Sequence, residues 1–592
     1  MRERPAAALR ARWEREKAVL LRCEVSVCLI GLACHAAGMF GGLSFYDDVT
    51  CTYDVGTTHI FGRFTLALLG KITRLPFGGS NYSLPWFNGL VSFLFLGIFA
   101  WMTVRLLRLE AAWLQVLVSG ILVAFPVITS LFAYWFTAPY YMLALPMCGA
   151  AAYCFTLRGD AAAAEGAAGR RKRALTVLVG IALTALLIGI YQAYLPVLLT
   201  LEVLILIRDE MEMPYHQNRR WGYALGGTVI GFAGYLVLMQ ISLTLTGKEL
   251  YSYRGLETLG TEGSSYLTRI LWAYRIFFDP GSFEELRNST DYLMFMWSME
   301  TVYKVILALS IVLAVIGGWL ILQRRGAAEN PAETESAAAP RKASARIPSS
   351  LPSFVRYLIL TGMFPLVVNF IFVMTDFDVY SLMLYAQVFV FLYPLMMGSA
   401  LGGQQEASEN AAAAQETGSG EQRPEPAGTD SPQKSPLCRN LRAAGRGMAA
   451  LAALLAGYGV VFYCRYDNLC YYKAGRMQDA AIAYDEILIA RIMAVEGYDA
   501  SLPVCFVDGL EKDVTGWTVD EELAGANITP YSGLEIINGY SWVSFMRIHC
   551  GYAPTVIEDY LQYDAYIEEE GMPSYPAEGS IRIVDGVIVV NF

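Results

Sequence analysis

Two adjacent carboxylates, Asp47 and Asp48, follow directly on the first apolar run of the chain, within Ser44-Phe45-Tyr46-Asp47-Asp48. Neighbouring acids at an interface repel one another and lose hydration, which raises the pKa of at least one of them or calls for a cation. A carboxylate so poised can act as a general base; a hydrated helix cap is the alternative reading of the same pair. Cations follow at Arg63, Lys71 and Arg74, interleaved with Phe61, Phe64, Leu66, Leu68, Leu69 and Ile72, with Asp54 and His59 just before them. The pattern predicts a short helix lying in a membrane interface, its cations available either to lipid phosphates or for simple anchoring.

The elements that hold such residues at an interface follow from composition. Of 592 residues, 55% are hydrophobic and 17% charged, at a mean hydropathy of +0.40, whereas soluble proteins carry roughly 25% charged residues. An ordinary cytosolic enzyme is excluded. Apolar runs of about 20 residues, long enough to cross the roughly 30 Å hydrocarbon layer as helices, recur through the first three quarters. Eleven spans are expected, at 25–43, 86–104, 112–135, 140–155, 174–190, 195–207, 222–245, 305–322, 355–374, 380–400 and 448–463. The fold class is an α-helical polytopic membrane protein with a small C-terminal α/β domain.

Residues 1–24 contain Arg2, Arg4, Arg10, Arg12, Arg15, Lys17 and Arg22 and no small-residue cleavage site. They read as a retained cytoplasmic end forming an amphipathic surface helix. Counting crossings from there puts Arg105/Arg108, Arg170 to Arg173, Arg208/Arg219/Arg220, Arg324/Arg325 with Arg341/Lys342, and Arg439/Arg442/Arg446 on the inner side. That parity requires 174–207 to be a hairpin broken near Tyr191, Gln192 and Pro196 rather than one long helix. The inner loops 326–350 and 402–436, rich in Ala, Glu, Ser, Pro and Gln, are expected to be disordered tethers. The net charge of -10 reflects acids gathered in the C-terminal quarter; neither an acidic partner nor nucleic acid is expected.

Outside the 25–464 membrane domain's inner loops lie three outer regions, 44–85, 246–304 and the tail 465–592. In the tail the spacing predicts a helix over 475–495, a buried strand over 503–507, and a hairpin of 580–584 with 587–590 whose Asp585-Gly586 turn suits type I′ geometry. In the second region Trp272, Tyr274, Arg275 and Asp279 fall on or near one amphipathic helix, a place for a carbohydrate platform. Trp86, Trp135, Trp272 and Trp297 fit an interfacial belt. Tyr191 and Gln192 can bond a sugar or close the turn, and Asp376 and Asp378 lie in another outer turn. Among the cysteines, Cys23, Cys28, Cys34, Cys148 and Cys154 sit in or beside apolar spans as small hydrophobes, while two of Cys470, Cys505 and Cys550 can pair if the tail is exported. His35, His59, His216 and His549 are far apart and no Cys or His pair has zinc-ligand spacing, so no metal centre is expected.

The order of these features resembles a known family: a basic start, one span, an outer loop reading Tyr46-Asp47-Asp48 and then Gly62-Arg63-Phe64, a hairpin carrying Ile190-Tyr191-Gln192-Ala193-Tyr194-Leu195, and a tail ending in a β-hairpin. It is similar to the bacterial O-antigen glucosyltransferases of the Gtr type, GT-C-like polytopic enzymes, over about 25–592. The resemblance implies transfer of a hexose, typically glucose, from undecaprenyl phosphate to an envelope polysaccharide on the outer face of the cytoplasmic membrane. The acidic role of the first outer loop carries over to Asp47 and Asp48, without choosing between them.

The chemistry agrees. A sugar hydroxyl is a poor nucleophile that needs a carboxylate to take its proton, and a departing polyprenyl phosphate needs cations rather than an acid. Arg63, Lys71 and Arg74 are the candidate phosphate ligands, with Arg269 and Arg275 as alternates; Tyr46, His59, Tyr191, Gln192 and Trp272 are the candidate sugar or acceptor contacts. A monophosphate donor requires no divalent metal, though paired acids can hold one. The rival classes are a lipid or solute transporter such as a flippase, which structural repeats would favour and none is found, and an envelope scaffold.

Overall fold

Apolar residues at helical spacing fill most of the chain, and helices form there. The structure is a computed structural model that describes residues 3–50, 55–77, 84–157, 167–212, 218–251, 264–280, 298–323, 350–375, 379–416, 436–507, 523, 526 and 539–592. In chain order the helices are α1 (Glu3–Phe40), α2 (Tyr46–Thr50), α3 (Val55–Ile60), α4 (Phe64–Arg74), α5 (Pro85–Leu106), α6 (Ala112–Ala124), α7 (Val127–Phe132), α8 (Ala138–Thr156), α9 (Ala167–Ile188), α10 (Leu195–Glu212), α11 (Asn218–Thr246) and α12 (Tyr266–Phe278). The helices Ser298–Gln323, Ser350–Val368, Phe370–Thr375, Phe389–Glu416 and the long helix Pro436–Met493 follow.

Each expected span overlaps a helix, and among the described residues six helices are long and apolar enough to cross a membrane: Trp13–Phe40, Pro85–Leu106, Arg220–Thr246, Met299–Gln323, Tyr385–Gly402 and Pro436–Met493. Local chemistry explains several of the others. The span 112–135 breaks where Phe125 is extended before Pro126, a residue pair that disfavours continued helix. The span 355–374 breaks between Val368 and Phe370. Helix α10 carries Glu202, Arg208, Asp209 and Glu210, and all four are buried inside the bundle.

The basic start is continuous with the first expected span. Helix α1 runs unbroken through 24–25, with Val19 and Cys23 already in the core and Arg22 donating to Gln115 of α6. The Phe389–Glu416 helix likewise continues through 402–416, where a tether is expected; residues 326–349 and 417–435 of the expected tethers lie outside the described residues.

Helix α1 packs on α5 and α6, α8 on α5 and α9, and α9 on α11, while α10 lies in the interior against Ser350–Val368. One end of this bundle collects ion pairs. Arg105 meets Glu16 at 2.8 Å, Arg108 pairs with Asp209 and Glu212, Arg220 meets Asp209 at 2.7 Å, Arg208 meets Glu212 at 2.6 Å, and Arg356 meets Glu210 at 2.6 Å. Buried Arg208, Asp209 and Glu210 persist as charges because each has a counter-ion. From Glu16, α1 climbs roughly 36 Å to Phe40 at 1.5 Å per residue, so α2 to α4 stand at the opposite end.

The long helix of 58 residues extends roughly 87 Å, about three times the hydrocarbon thickness, so only part of it can cross. Its final turns bury Leu488 and Ile492 against Val504, Trp542, Met546, Ile588 and Val590. There the strands β1 (Val504–Val507), β2 (Ile581–Val584) and β3 (Val587–Asn591) form a sheet of order β1-β3-β2, with β1 parallel and β2 antiparallel to β3. Val584 faces Val587 across the Asp585-Gly586 turn, whose φ angles of 48° and 79° are those of type I′. Cys470, Cys505 and Cys550 are free thiols.

Candidate active site

The turn after α1 is pinned by a distant side chain. Gln478 of the long helix accepts from the Ser44 N–H at 2.9 Å and donates to the Gly42 carbonyl at 3.0 Å, where φ of +67° favours glycine. This sets α2 on the end of the bundle. Consecutive helical residues point about 100° apart, so the two aspartates meet different surroundings. Asp48 is 4% exposed and accepts the backbone N–H groups of Trp135 at 3.4 Å and Phe136 at 3.2 Å, in the turn before α8. Asp47 is half-buried and accepts from the Tyr540 hydroxyl. Burial pushes the Asp47 carboxyl above its usual pKa, and the Tyr540 hydrogen bond and the Arg63 charge pull it partly back. Tyr46 meets the Tyr134 hydroxyl at 3.0 Å and stands edge-on to Tyr540 with ring centres 6.0 Å apart.

Arg63 is positioned by a built turn. Gly62 adopts φ +70°, and a Cβ there would come 2.6 Å from the Tyr235 hydroxyl. Gln192 donates to the Phe61 carbonyl at 2.8 Å and to the Tyr235 hydroxyl at 3.1 Å, so it closes this turn from the break between α9 and α10. The N–H groups of Thr65 and Leu66, orphaned at the start of α4, donate to the Gly189 carbonyl at 3.0 and 3.2 Å. The Arg63 guanidinium then lies 4.9 Å from the centre of the Tyr191 ring and donates to the Tyr141 hydroxyl at 3.3 Å. Tyr141 and Tyr191 pack with ring centres 4.8 Å apart. The result is an acid and a cation in an aromatic setting that weakens competition from water.

The other expected site residues divide. Lys71 is exposed, and Arg74 is half-buried with its charge acting on Tyr140; at the far end of α4 they stand roughly 12 and 16 Å along the axis from Arg63. His59 meets the Ser242 hydroxyl at 2.6 Å, and burial, then Lys248 and Lys71, hold its pKa low. Arg269 is 2% exposed and donates to the carbonyls of Ser264 at 3.0 Å and Val373 at 3.3 Å. Arg275 lies 4.6 Å from the Trp272 ring centre. Their helix α12 packs on Ser350–Val368 and Phe370–Thr375 rather than on α2 or α4, so neither alternate cation nor Trp272 is brought to the aspartates. Trp135, expected in an interfacial belt, is fully buried and stacked on Phe132 at 4.5 Å. Asp54, His216, Trp297, Asp376 and Asp378 lie outside the described residues.

Sequence reasoning missed Tyr134, Tyr141 and Tyr540, which carry no motif. An apolar cavity of about 450 Å³ lies between Ser298–Gln323 and Ser350–Val368, lined by Phe277, Leu307, Ile311, Trp319, Phe354 and Tyr393 among others, and by neither aspartate. Asp47 and Asp48 diverge; among the described residues Cys34, His35 and Asp467 bring three potential metal-ligand atoms within 4.8 Å of one another.

Residues 36–329 match the family model described as Glucosyl transferase GtrII. This segment belongs to the GtrII glucosyl transferase family. The GtrII segment holds Asp47, Asp48, Arg63 and the α4 cations, together with Tyr141, Tyr191 and Gln192, whereas Tyr540 lies beyond it. No curated protein and no solved structure matches the chain. The family match of residues 36–329 suggests a glucosyltransferase, and the apolar helices suggest association with a membrane.

Proposed function

We propose that the protein moves a glucosyl group from a polyprenyl-phosphate donor to a cell-envelope polysaccharide at the outer face of a bacterial cytoplasmic membrane, with Asp47 as the general base. The observation that carries this reading is that the GtrII segment holds Asp47 at the end of the bundle with the Arg63 charge near enough to act on its carboxyl. The acceptor hydroxyl gives its proton to Asp47 as its oxygen bonds the anomeric carbon, and the bond to phosphate breaks with its electron pair leaving on the phosphate. Arg63 offsets the gathering charge on that leaving group, and Lys71 and Arg74 hold the lipid side of the donor. Asp48 orients the turn before α8 and does not react. The positive-inside rule supports an outer location: the arginine-rich end of the bundle is read as the cytoplasmic one, and the aspartates stand at the other end.

The test is transfer by the purified full-length protein in vesicles given radiolabelled polyprenyl-phosphate glucose and envelope glycan. Label moving to glycan supports the reading. Movement of the intact lipid across the bilayer without transfer would instead mark a transporter, and nucleotide-glucose as the sole working donor would remove the lipid-donor proposal.

A further inference from the structure

Helices α1 and Pro436–Met493 meet at a cluster that the proposed transfer does not use. Cys34, His35 and Asp467 are all fully buried, and each offers a ligand atom within 4.8 Å of the others. The Cys464 thiol, half-buried, touches that of Cys34. Asp467 accepts from the Thr129 hydroxyl at 2.7 Å through Oδ1, while Oδ2 has no hydrogen-bond partner among the described residues. A carboxyl so enclosed is ionised only with a cation beside it and otherwise keeps its proton.

We propose that Cys34, His35 and Asp467, with Cys464 as a fourth donor, form a site for a zinc-like transition-metal ion that clamps α1 to the long helix. His35 supplies the second observation. Its Nε2 lies 2.9 Å from the Val123 carbonyl, which can only accept, so Nε2 carries the proton and Nδ1 presents a lone pair. An imidazole whose far nitrogen donates to a backbone carbonyl has the arrangement typical of metal-bound histidine. That lone pair now faces the Tyr471 hydroxyl at 3.1 Å and the Thr129 hydroxyl at 3.5 Å; metal binding turns Tyr471 aside. Sulfur, nitrogen and oxygen donors together suit zinc, whose bonds of about 2.0–2.3 Å need the ligand atoms to draw in to roughly 3.5 Å of one another. The clamp lies just below the Ser44–Gln478 contact that sets α2, so it would steady the approach of Asp47 to the tail.

The test uses full-length protein in detergent, stripped with chelator, then loaded with Zn²⁺ or with Co²⁺ as a spectroscopic probe. Wild type is expected to hold about one ion per chain, with a cobalt–thiolate absorption band and a raised melting temperature. Cys34→Ser should lose the band. Asp467→Asn, which keeps an oxygen for Thr129 if the first variant does not fold, should bind at least about tenfold more weakly. Cys438→Ser, a buried thiol elsewhere, should bind as wild type. Folded wild type without stoichiometric metal, undiminished binding in both ligand variants, or a Cys34–Cys464 disulfide in non-reducing peptide maps would overturn the proposal. All readouts are of binding and stand apart from glucosyl transfer.

Discussion

The hydroxyl of Tyr540 donates to Oδ1 of Asp47, although the two residues are 493 positions apart. The C-terminal region thus reaches the acid at the mouth of the first helix, and Asp47 and the tail share one end of the bundle. The contact is reinforced by the ring of Tyr46 against Tyr540 and by packing of Phe45 and Val49 with Phe545.

Tyr540 lowers the Asp47 pKa against the larger raising effect of burial. Tyr540→Phe removes the hydroxyl and keeps the ring, so the Asp47 pKa should rise further. A base must be ionised to act, so the acidic limb of the kcat/KM profile should move to higher pH while activity at high pH changes little. The pH profile of the variant is the measurement; an unmoved limb would separate Tyr540 from Asp47.

Arg63 reaches Tyr141 and Tyr191 through a planar fork that lysine lacks. Arg63→Lys should keep the fold and reduce kcat/KM by roughly 10- to 100-fold, the worth of one charge-assisted hydrogen bond. Steady-state kinetics with a short-chain donor would check this.

Asp48 uses both carboxylate oxygens on backbone N–H groups. Asn in its place offers one acceptor and turns an amide donor toward another donor. Asp48→Asn should therefore lower unfolding stability by about 1–3 kcal/mol while leaving most of the turnover of the folded fraction, as thermal unfolding with active-site titration would report.

In the part of the long helix that packs on the sheet, beyond its crossing portion, Asp485 is fully buried, accepts from Trp542 Nε1 at 2.7 Å, and is pushed by burial up to about 7. A carboxyl raised on folding contributes stability that is complete below its unfolded pKa and lost as pH rises through about 7. The melting temperature should fall from about pH 4 to about pH 7 and level off above it. Asp485→Asn keeps an acceptor for Trp542 and should flatten that slope.

Much of this was legible where the cause is local. Apolar length marks helices, the Asp585-Gly586 pair marks a hairpin, and alternating cations and apolar residues mark α4. The break at Tyr191 was readable too, but its use was not. Gln192 serves the Gly62 turn because the fold brings residue 61 within reach. Which aspartate faces solvent chemistry depends on the backbone of residues 135–136 and on a tyrosine at 540, neither close in sequence. The burial of Arg269 on the Val373 carbonyl and of Trp135 in the core are likewise tertiary facts. Pro126, by contrast, was a local signal for the split of 112–135, and apolar content alone concealed it.

The most direct measurement is single-turnover glucosyl transfer by Asp47→Asn in vesicles, at a donor concentration that saturates the wild type and with protein shown to be folded. Loss of a base of this kind predicts a fall of about 10² to 10⁴ in rate with donor binding retained. Wild-type turnover in that variant would contradict the assignment of Asp47.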